Sequence, residues 1–88
     1  MQFCFIVDTG YSQTAKDYYI KGCDKIDLKD YIGAIADFNK AIELNHEYIN
    51  AYYNRGSAKG NLQDFRGAIA DFNIAIKLNA KLAVAYYS

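Results

Sequence analysis

Apolar residues recur along most of this chain with the spacing of an amphipathic helix. In the segment YIGAIADFNKAIELN, residues 31–45, they fall on one face of a helix with about 3.6 residues per turn. An alternating pattern typical of a β-strand is present only weakly, at residues 2–7. The pattern therefore predicts an all-α protein. The apolar positions of this segment are Ala34, Ile35, Phe38, Ala41 and Ile42.

The same segment occurs a second time further along the chain. Residues 65–79, FRGAIADFNIAIKLN, are identical to residues 31–45 at eleven of fifteen positions. Paired tyrosines follow the same offset, at residues 18–19, 52–53 and 86–87. Such regularity indicates a repeat architecture. It divides the chain into an apolar N-terminal extension or cap at 1–13, one unit at 14–48, a second at 49–82, and the start of a third unit or a capping helix at 83–88.

The ends of the expected helices carry residues that suit capping. Asp30 and Asp64 precede the repeated helices and can accept hydrogen bonds from free backbone amides. Asn45 and Asn79 follow the last apolar residues, where a residue that tolerates the left-handed conformation can end a helix. Short connections make consecutive helices antiparallel. We predict helices at about 14–27, 31–44, 47–61 and 65–78, and a final helix beginning near 81.

This 34-residue helix-turn-helix unit resembles the tetratricopeptide repeat (TPR) over about 70 of the 88 residues. The resemblance implies an α-solenoid, a right-handed superhelical stack of antiparallel helix pairs with two units and part of a third. Glycine within a helix costs about 1 kcal/mol relative to alanine, so the two motif glycines indicate a close approach between helices. The motif positions are Tyr18 and Tyr52, Gly22 and Gly56, Ala34 and Ala68, Phe38 and Phe72, and Ala41 and Ala75.

Several positions depart from the family pattern. Lys21 and Arg55 stand where the family has leucine, lysines at 25 and 59 stand where it has a later tyrosine, and the chain has no proline. We predict that Arg55 lies at the edge of the core, with its stem on apolar surface. Its guanidinium should pair with Asp37 or Asp71.

The charge balance and the hydropathy argue against nucleic acid or membrane partners. Ten basic and ten acidic side chains cancel, so the chain has no long-range field to attract nucleic acid or anionic lipid. The apolar opening run is seven residues long, far short of the roughly 20 needed to cross a bilayer, and lacks the basic leader of a signal peptide.

Little in the sequence indicates chemistry. Cys4 and Cys23 lie far apart in the sequence and form no metal-ligand pair, which fits reduced thiols in a cytoplasmic protein. His46, the one histidine, has no serine or cysteine placed beside it as a nucleophile. No phosphate-binding glycine loop is present. We therefore expect no enzyme activity, no cofactor and no metal.

The family resemblance implies a role in binding proteins. In TPR proteins the first helix of each unit lines a concave groove that holds a peptide or a helix of a partner. The alternative is that Tyr18 and Tyr52 belong to the core, and that Tyr19 and Tyr53 only cover the next helix pair. The groove positions, carried over by the repeat alignment, are Lys16, Tyr19, Cys23 and Ile26 in the first unit, Asn50, Tyr53, Asn54 and Ser57 in the second, and Tyr87 in the third.

One TPR subtype is not expected. Domains that hold acidic chaperone tails use lysine, arginine and asparagine from three units, and Asn54 matches only one of these positions. Tyr19 and Cys23 in the first unit, and Val84 and Ser88 in the third, supply almost no donors for a carboxylate.

Two units leave apolar surface at the ends of the stack, since repeats bury their faces against neighbours. The apolar residues Phe3, Phe5, Ile6 and Val7 could fold back as a cap. Two further alternatives are that the chain is a fragment of a longer repeat array, or that other copies cover the ends, by end-to-end stacking or by exchange of a helix. A homo-oligomer is therefore expected. A protein-interaction module is the leading function, and a self-assembling structural piece without a separate ligand is the alternative.

Overall fold

The computed structural model describes residues 13–87, with side chains through residue 84, and it contains four α-helices in that range. The predicted N-terminal extension therefore lies almost wholly outside the described residues. Each helix packs on the next, α1 on α2, α2 on α3 and α3 on α4. The described part of the chain is thus an all-α repeat solenoid, as predicted. The helices are α1 (Ala15–Asp27), α2 (Tyr31–Leu44), α3 (Ile49–Asn61) and α4 (Phe65–Tyr87).

The helix starts follow the predicted caps. The side chain of Asp30 accepts a hydrogen bond from the Gly33 amide at 3.0 Å, and Asp64 accepts one from Gly67 at the same distance. At the start of α1, Thr14 forms a capping box with the residue three positions later. These caps satisfy amides that have no partner inside the helix.

The turn between the two helices of each unit contains a left-handed residue that was not predicted from the sequence. Lys29 and Gln63, at equivalent positions of the two units, have φ angles of 60° and 67°, the left-handed conformation. Backbone hydrogen bonds from Asp30 to the Lys25 carbonyl and from Lys29 to the Ile26 carbonyl, both 2.8 Å, form a Schellman motif. The left-handed residue predicted at Asn45 is wrong, because Asn45 is extended, with a φ angle of −144°.

Replacing Lys29 by glycine is expected to raise the free energy of unfolding by about 0.5–1 kcal/mol. A left-handed conformation costs a residue with a Cβ roughly 1–2 kcal/mol, and the freedom of glycine in the unfolded chain offsets part of that gain. Urea unfolding followed by circular dichroism measures the change. Ala36→Gly, in the exposed middle of α2, is the control and should lose about 1 kcal/mol. A destabilised Lys29→Gly variant would contradict the left-handed turn.

The packing of the core repeats in the two units, as the sequence does. Phe38 is fully buried, and a Cβ added at Gly22 would lie 2.5 Å from its ring. A Cβ added at Gly56 would likewise lie 2.9 Å from the ring of Phe72. At both positions an aromatic ring of the next helix leaves no room for a side chain larger than that of glycine, so the helices approach closely, as predicted.

Ion pairs bind the two helices of each unit. Lys25 Nζ lies 2.8 Å from Asp37 Oδ2, and Lys59 Nζ lies 3.2 Å from Asp71 Oδ2. The two lysines that replace the family tyrosine therefore form equivalent ion pairs in the two units. Arg55 donates from Nε and Nη2 to the two oxygens of Asp71, at 2.9 and 2.7 Å. The Arg55 pairing is thus confirmed for Asp71, although its side chain is only 17% exposed and lies deeper than the edge position predicted.

The last helix departs from the prediction. Asn79 does not end it and no new helix begins near 81, because α4 continues without a break to Tyr87. In the first unit the equivalent residues, 45–48, form the turn between α2 and α3. Ala80 and Leu82 replace a histidine and a tyrosine there, and both are stronger helix formers than the residues they replace. Lys81 also forms an exposed ion pair with Glu47, at 2.9 Å, between α4 and the turn that follows α2.

Candidate functional site

A shallow groove of about 190 Å³ runs between α1 and α3, on the face that the repeat alignment assigns to partner binding. We call it the α1–α3 groove. Cys23, Ile26, Asn54 and Ser57, four of the predicted binding residues, line it. Asp27, the last residue of α1, lines it too and was not among the predicted residues.

Asn54 connects the two units across this groove. Its Nδ2 donates to Tyr19 Oη at 2.8 Å and lies 3.7 Å from Cys23 Sγ. Within the described residues these bonds use only the amide N–H groups of Asn54, and its Oδ1 remains available as an acceptor. A peptide backbone N–H is the donor that such an acceptor commonly meets.

Tyr19 packs against the core and bonds Asn54, a residue of the groove lining. Its ring packs against Phe38 and Tyr48, with centroids 5.8 and 5.0 Å apart. Burial raises the pKa of Tyr19 to about 12, and the neighbouring Cys23 thiol adds to the rise. The phenol is therefore neutral at physiological pH and acts as a hydrogen-bond partner for Asn54 rather than as an anion.

Asn50 and Tyr53 face a different surface. They line a larger groove, of about 490 Å³, together with residues of α4. The Tyr53 ring packs on Phe72 at 5.3 Å and remains 56% exposed. We call this surface the α4 groove; its lining residues are Ile49, Asn50, Tyr53, Phe72, Ala75, Ile76 and Asn79.

Of the other predicted residues, Lys16 lines neither groove. Lys16 is exposed in the first turn of α1. Tyr87 is the last residue of α4, and its side chain lies outside the described part of the chain. The predicted binding set is therefore divided between two surfaces.

Other kinds of site have no counterpart in the part of the chain that is described. No three His, Cys, Asp or Glu side chains gather there as a metal ion would require. None of the four helices is both long and apolar enough to cross a membrane.

Two family models match the chain. One, described as TPR repeat, matches residues 25–63, and another, described as tetratricopeptide repeat, matches residues 49–82. The chain belongs to the tetratricopeptide repeat family. The two matches overlap in α3, the helix that contributes residues to both grooves. A comparison with curated proteins found no match. TPR repeats are generally non-catalytic modules that bind other proteins.

Proposed function

We propose that this TPR chain is a scaffold or adaptor that holds a peptide or helix of a partner protein in its α1–α3 groove. The observation that supports this most is the link made by Asn54, whose side chain joins Tyr19 and Cys23 of the first unit at the groove wall. A link between units fixes the width and orientation of a groove before a guest arrives. Such preorganisation lowers the entropic cost of binding.

The lining also limits the chemistry of the guest. Cys23 and Ile26 offer apolar surface, while Asn54 and Ser57 offer polar groups that can bond a peptide backbone. Asp27 is the one charged residue of the lining. A neutral or basic segment with a small apolar side chain fits this arrangement, and an acidic tail does not. On this proposal the chain acts in the cytoplasm, without a cofactor and without enzyme activity.

Asn54→Ala is expected to weaken partner binding by about tenfold, because a guest loses one hydrogen bond and the groove loses its link between units. Partners are captured on the wild-type chain, identified by mass spectrometry, and their affinities measured with purified components. Asn73→Ala, at an exposed position of α4, is the matched control and should leave the affinity unchanged.

A second variant, Tyr53→Ala, shows which of the two grooves holds the partner. It alters the α4 groove and should not affect a guest of the α1–α3 groove. Equal binding by wild type and Asn54→Ala, or loss of binding only with Tyr53→Ala, would contradict the proposal.

Self-association is the second candidate function, and the exposed apolar face of α4 favours it. Ile69 and Ile76 are 58% and 65% exposed, and they lie two helical turns apart on one side of α4. An apolar surface of this kind commonly marks a contact with another protein.

A further inference from the structure

The α4 groove continues a packing interface that is covered in the first unit. There α3 packs on α2, and Ile42 is only 8% exposed. Its counterpart in the second unit, Ile76, is 65% exposed. Ile69, on the same side of α4, is 58% exposed, whereas its counterpart Ile35 is half-buried. The two helices have nearly the same sequence, so the difference comes from a covering helix that α2 has and that, among the described residues, α4 lacks.

The internal interface shows which face of a helix covers such a surface. Ala51 of α3 is fully buried and packs with the core residues of α2. Ala58 lies seven residues further on, on the same side of α3, and is fully buried too. Between them, Arg55 donates from Nη1 to Asn39 Oδ1 of α2 at 2.8 Å. The covering face therefore consists of two small residues, which allow a close approach, with an arginine between them.

The second unit keeps the groups that this face contacts. Asn73 occupies the position of Asn39 and is exposed on α4. It lies four residues after Ile69 and three before Ile76, so the three residues share one side of the helix. A helix with the contacting face of α3 would therefore meet apolar surface and one amide acceptor here, in the arrangement that α2 offers in the first unit.

The first helix of a second copy does not offer such a face. In α1 the three equivalent positions are occupied by Asp17, Lys21 and Asp24, all of them exposed. Stacking α1 of one copy on α4 of another would bring both carboxylates to positions that are fully buried in α3, and burying charge in this way is unfavourable. The α3 helix itself is enclosed between α2 and α4, so another copy cannot use it.

We propose that the α4 groove docks a helix of a different protein, whose contacting face carries two small residues seven positions apart and an arginine between them. The small residues let this helix lie close to Ile76, and the arginine donates to Asn73 Oδ1. The site is separate from the α1–α3 groove, so the chain can hold a second partner. It is an alternative to self-association through the same surface of α4.

A peptide with the sequence of residues 48–61, which contain α3, is the probe for this site. Short helices are only marginally stable alone in water, so the peptide needs a covalent link. Tyr53→Lys and Ser57→Asp in the peptide are joined by a lactam, on the side opposite Ala51. The link makes the peptide helical before it binds and leaves its contacting face intact.

Titration of this peptide into the isotope-labelled 88-residue chain, followed by NMR, should shift the amide signals of Ile69, Asn73 and Ile76. We expect a dissociation constant of roughly 100 micromolar. The matched control is the same peptide with Ala51→Asp and Ala58→Asp, which gives it the acidic positions of α1. The control peptide should bind at least about tenfold more weakly.

Variants of the chain test whether the peptide binds on α4. Ile76→Asp should weaken binding at least about tenfold. Ile32→Asp, at a residue that is 72% exposed on α2, should bind the peptide as the wild type does. Asn73→Ala in the chain and Arg55→Ala in the peptide should each weaken binding about fivefold. The two changes together should weaken it no further, because they remove the same hydrogen bond.

Failure of the peptide to bind, equal affinity for the two peptides, or shifts confined to the α1–α3 groove would overturn the proposal. Sedimentation equilibrium of the chain without peptide tests the other occupant. A dimer that is lost in Ile76→Asp would assign the α4 groove to a second copy and would overturn the proposal as well. Asn54→Ala should leave the peptide affinity unchanged, which separates this outcome from partner binding at the α1–α3 groove.

Discussion

Replacing Arg55 by leucine is expected to destabilise the protein by about 3 kcal/mol. Asp71 is only 2% exposed, and Arg55 bonds both of its carboxylate oxygens. Without Arg55, the carboxylate keeps Lys59 alone, at 3.2 Å. The loss arises mainly from leaving a buried charge incompletely paired, rather than from the attraction itself.

Urea unfolding followed by circular dichroism measures this loss. Lys40→Leu is the control, because Lys40 and Glu43 form an exposed pair that should contribute less than about 1 kcal/mol. The double variant Arg55→Leu with Asp71→Leu should recover much of the stability, since it removes both charges together. If Arg55→Leu were as stable as the wild type, Asp71 would not depend on Arg55 for its charge to be buried.

Truncation of Phe38 to alanine is expected to cost about 4 kcal/mol, enough to unfold much of so small a protein. The ring is fully buried, against Gly22 and Tyr19 of α1. Phe72→Ala should cost about half as much, because Phe72 is only half-buried and borders the open α4 groove. The helical signal at 222 nm during thermal unfolding, at low micromolar concentration, measures both.

The two phenylalanines are a matched pair in sequence and differ only in their neighbours. Equal losses of stability for Phe38→Ala and Phe72→Ala would contradict this difference. They would mean that the covering of the first unit by α3 does not bury Phe38 more deeply than Phe72 is buried. A Phe38→Ala variant that melts within a few degrees of the wild type would contradict the buried position of this ring.

The parts of the fold that were predictable depend on contacts inside one unit. The caps at Asp30 and Asp64 and the close approach at Gly22 follow from residue type and position, and the structure contains all of them. The sequence limited the partner of Arg55 to Asp37 or Asp71, and the structure shows that it is Asp71. Each depends on neighbours that the repeat offset specifies.

The parts that were not predictable depend on small differences between alternatives. Residues 45–48 and 79–82 have matching asparagines, yet one segment turns and the other is helical. Two of the replacements, Ala80 and Leu82, favour a helix, and Lys81 forms an ion pair with Glu47 that joins the two units of the chain. Pattern alone does not reveal such a contact.

The same limit applies to the candidate binding residues. The repeat alignment places Tyr19 and Tyr53 at equivalent positions, and the structure gives them different surroundings. Tyr48 packs on the ring of Tyr19, whereas Leu82, the counterpart of Tyr48, continues along α4. Which surface a residue faces is therefore decided by where the next helix goes.

Residues one unit apart occupy equivalent places on stacked helix pairs. Nuclear Overhauser contacts between aromatic ring protons and glycine α-protons would show this packing. We expect a contact between Phe38 and Gly22 and a second one between Phe72 and Gly56. A spectrum in which only one of these contacts occurs, or in which Phe72 contacts another segment, would contradict the repeated packing and both grooves derived from it.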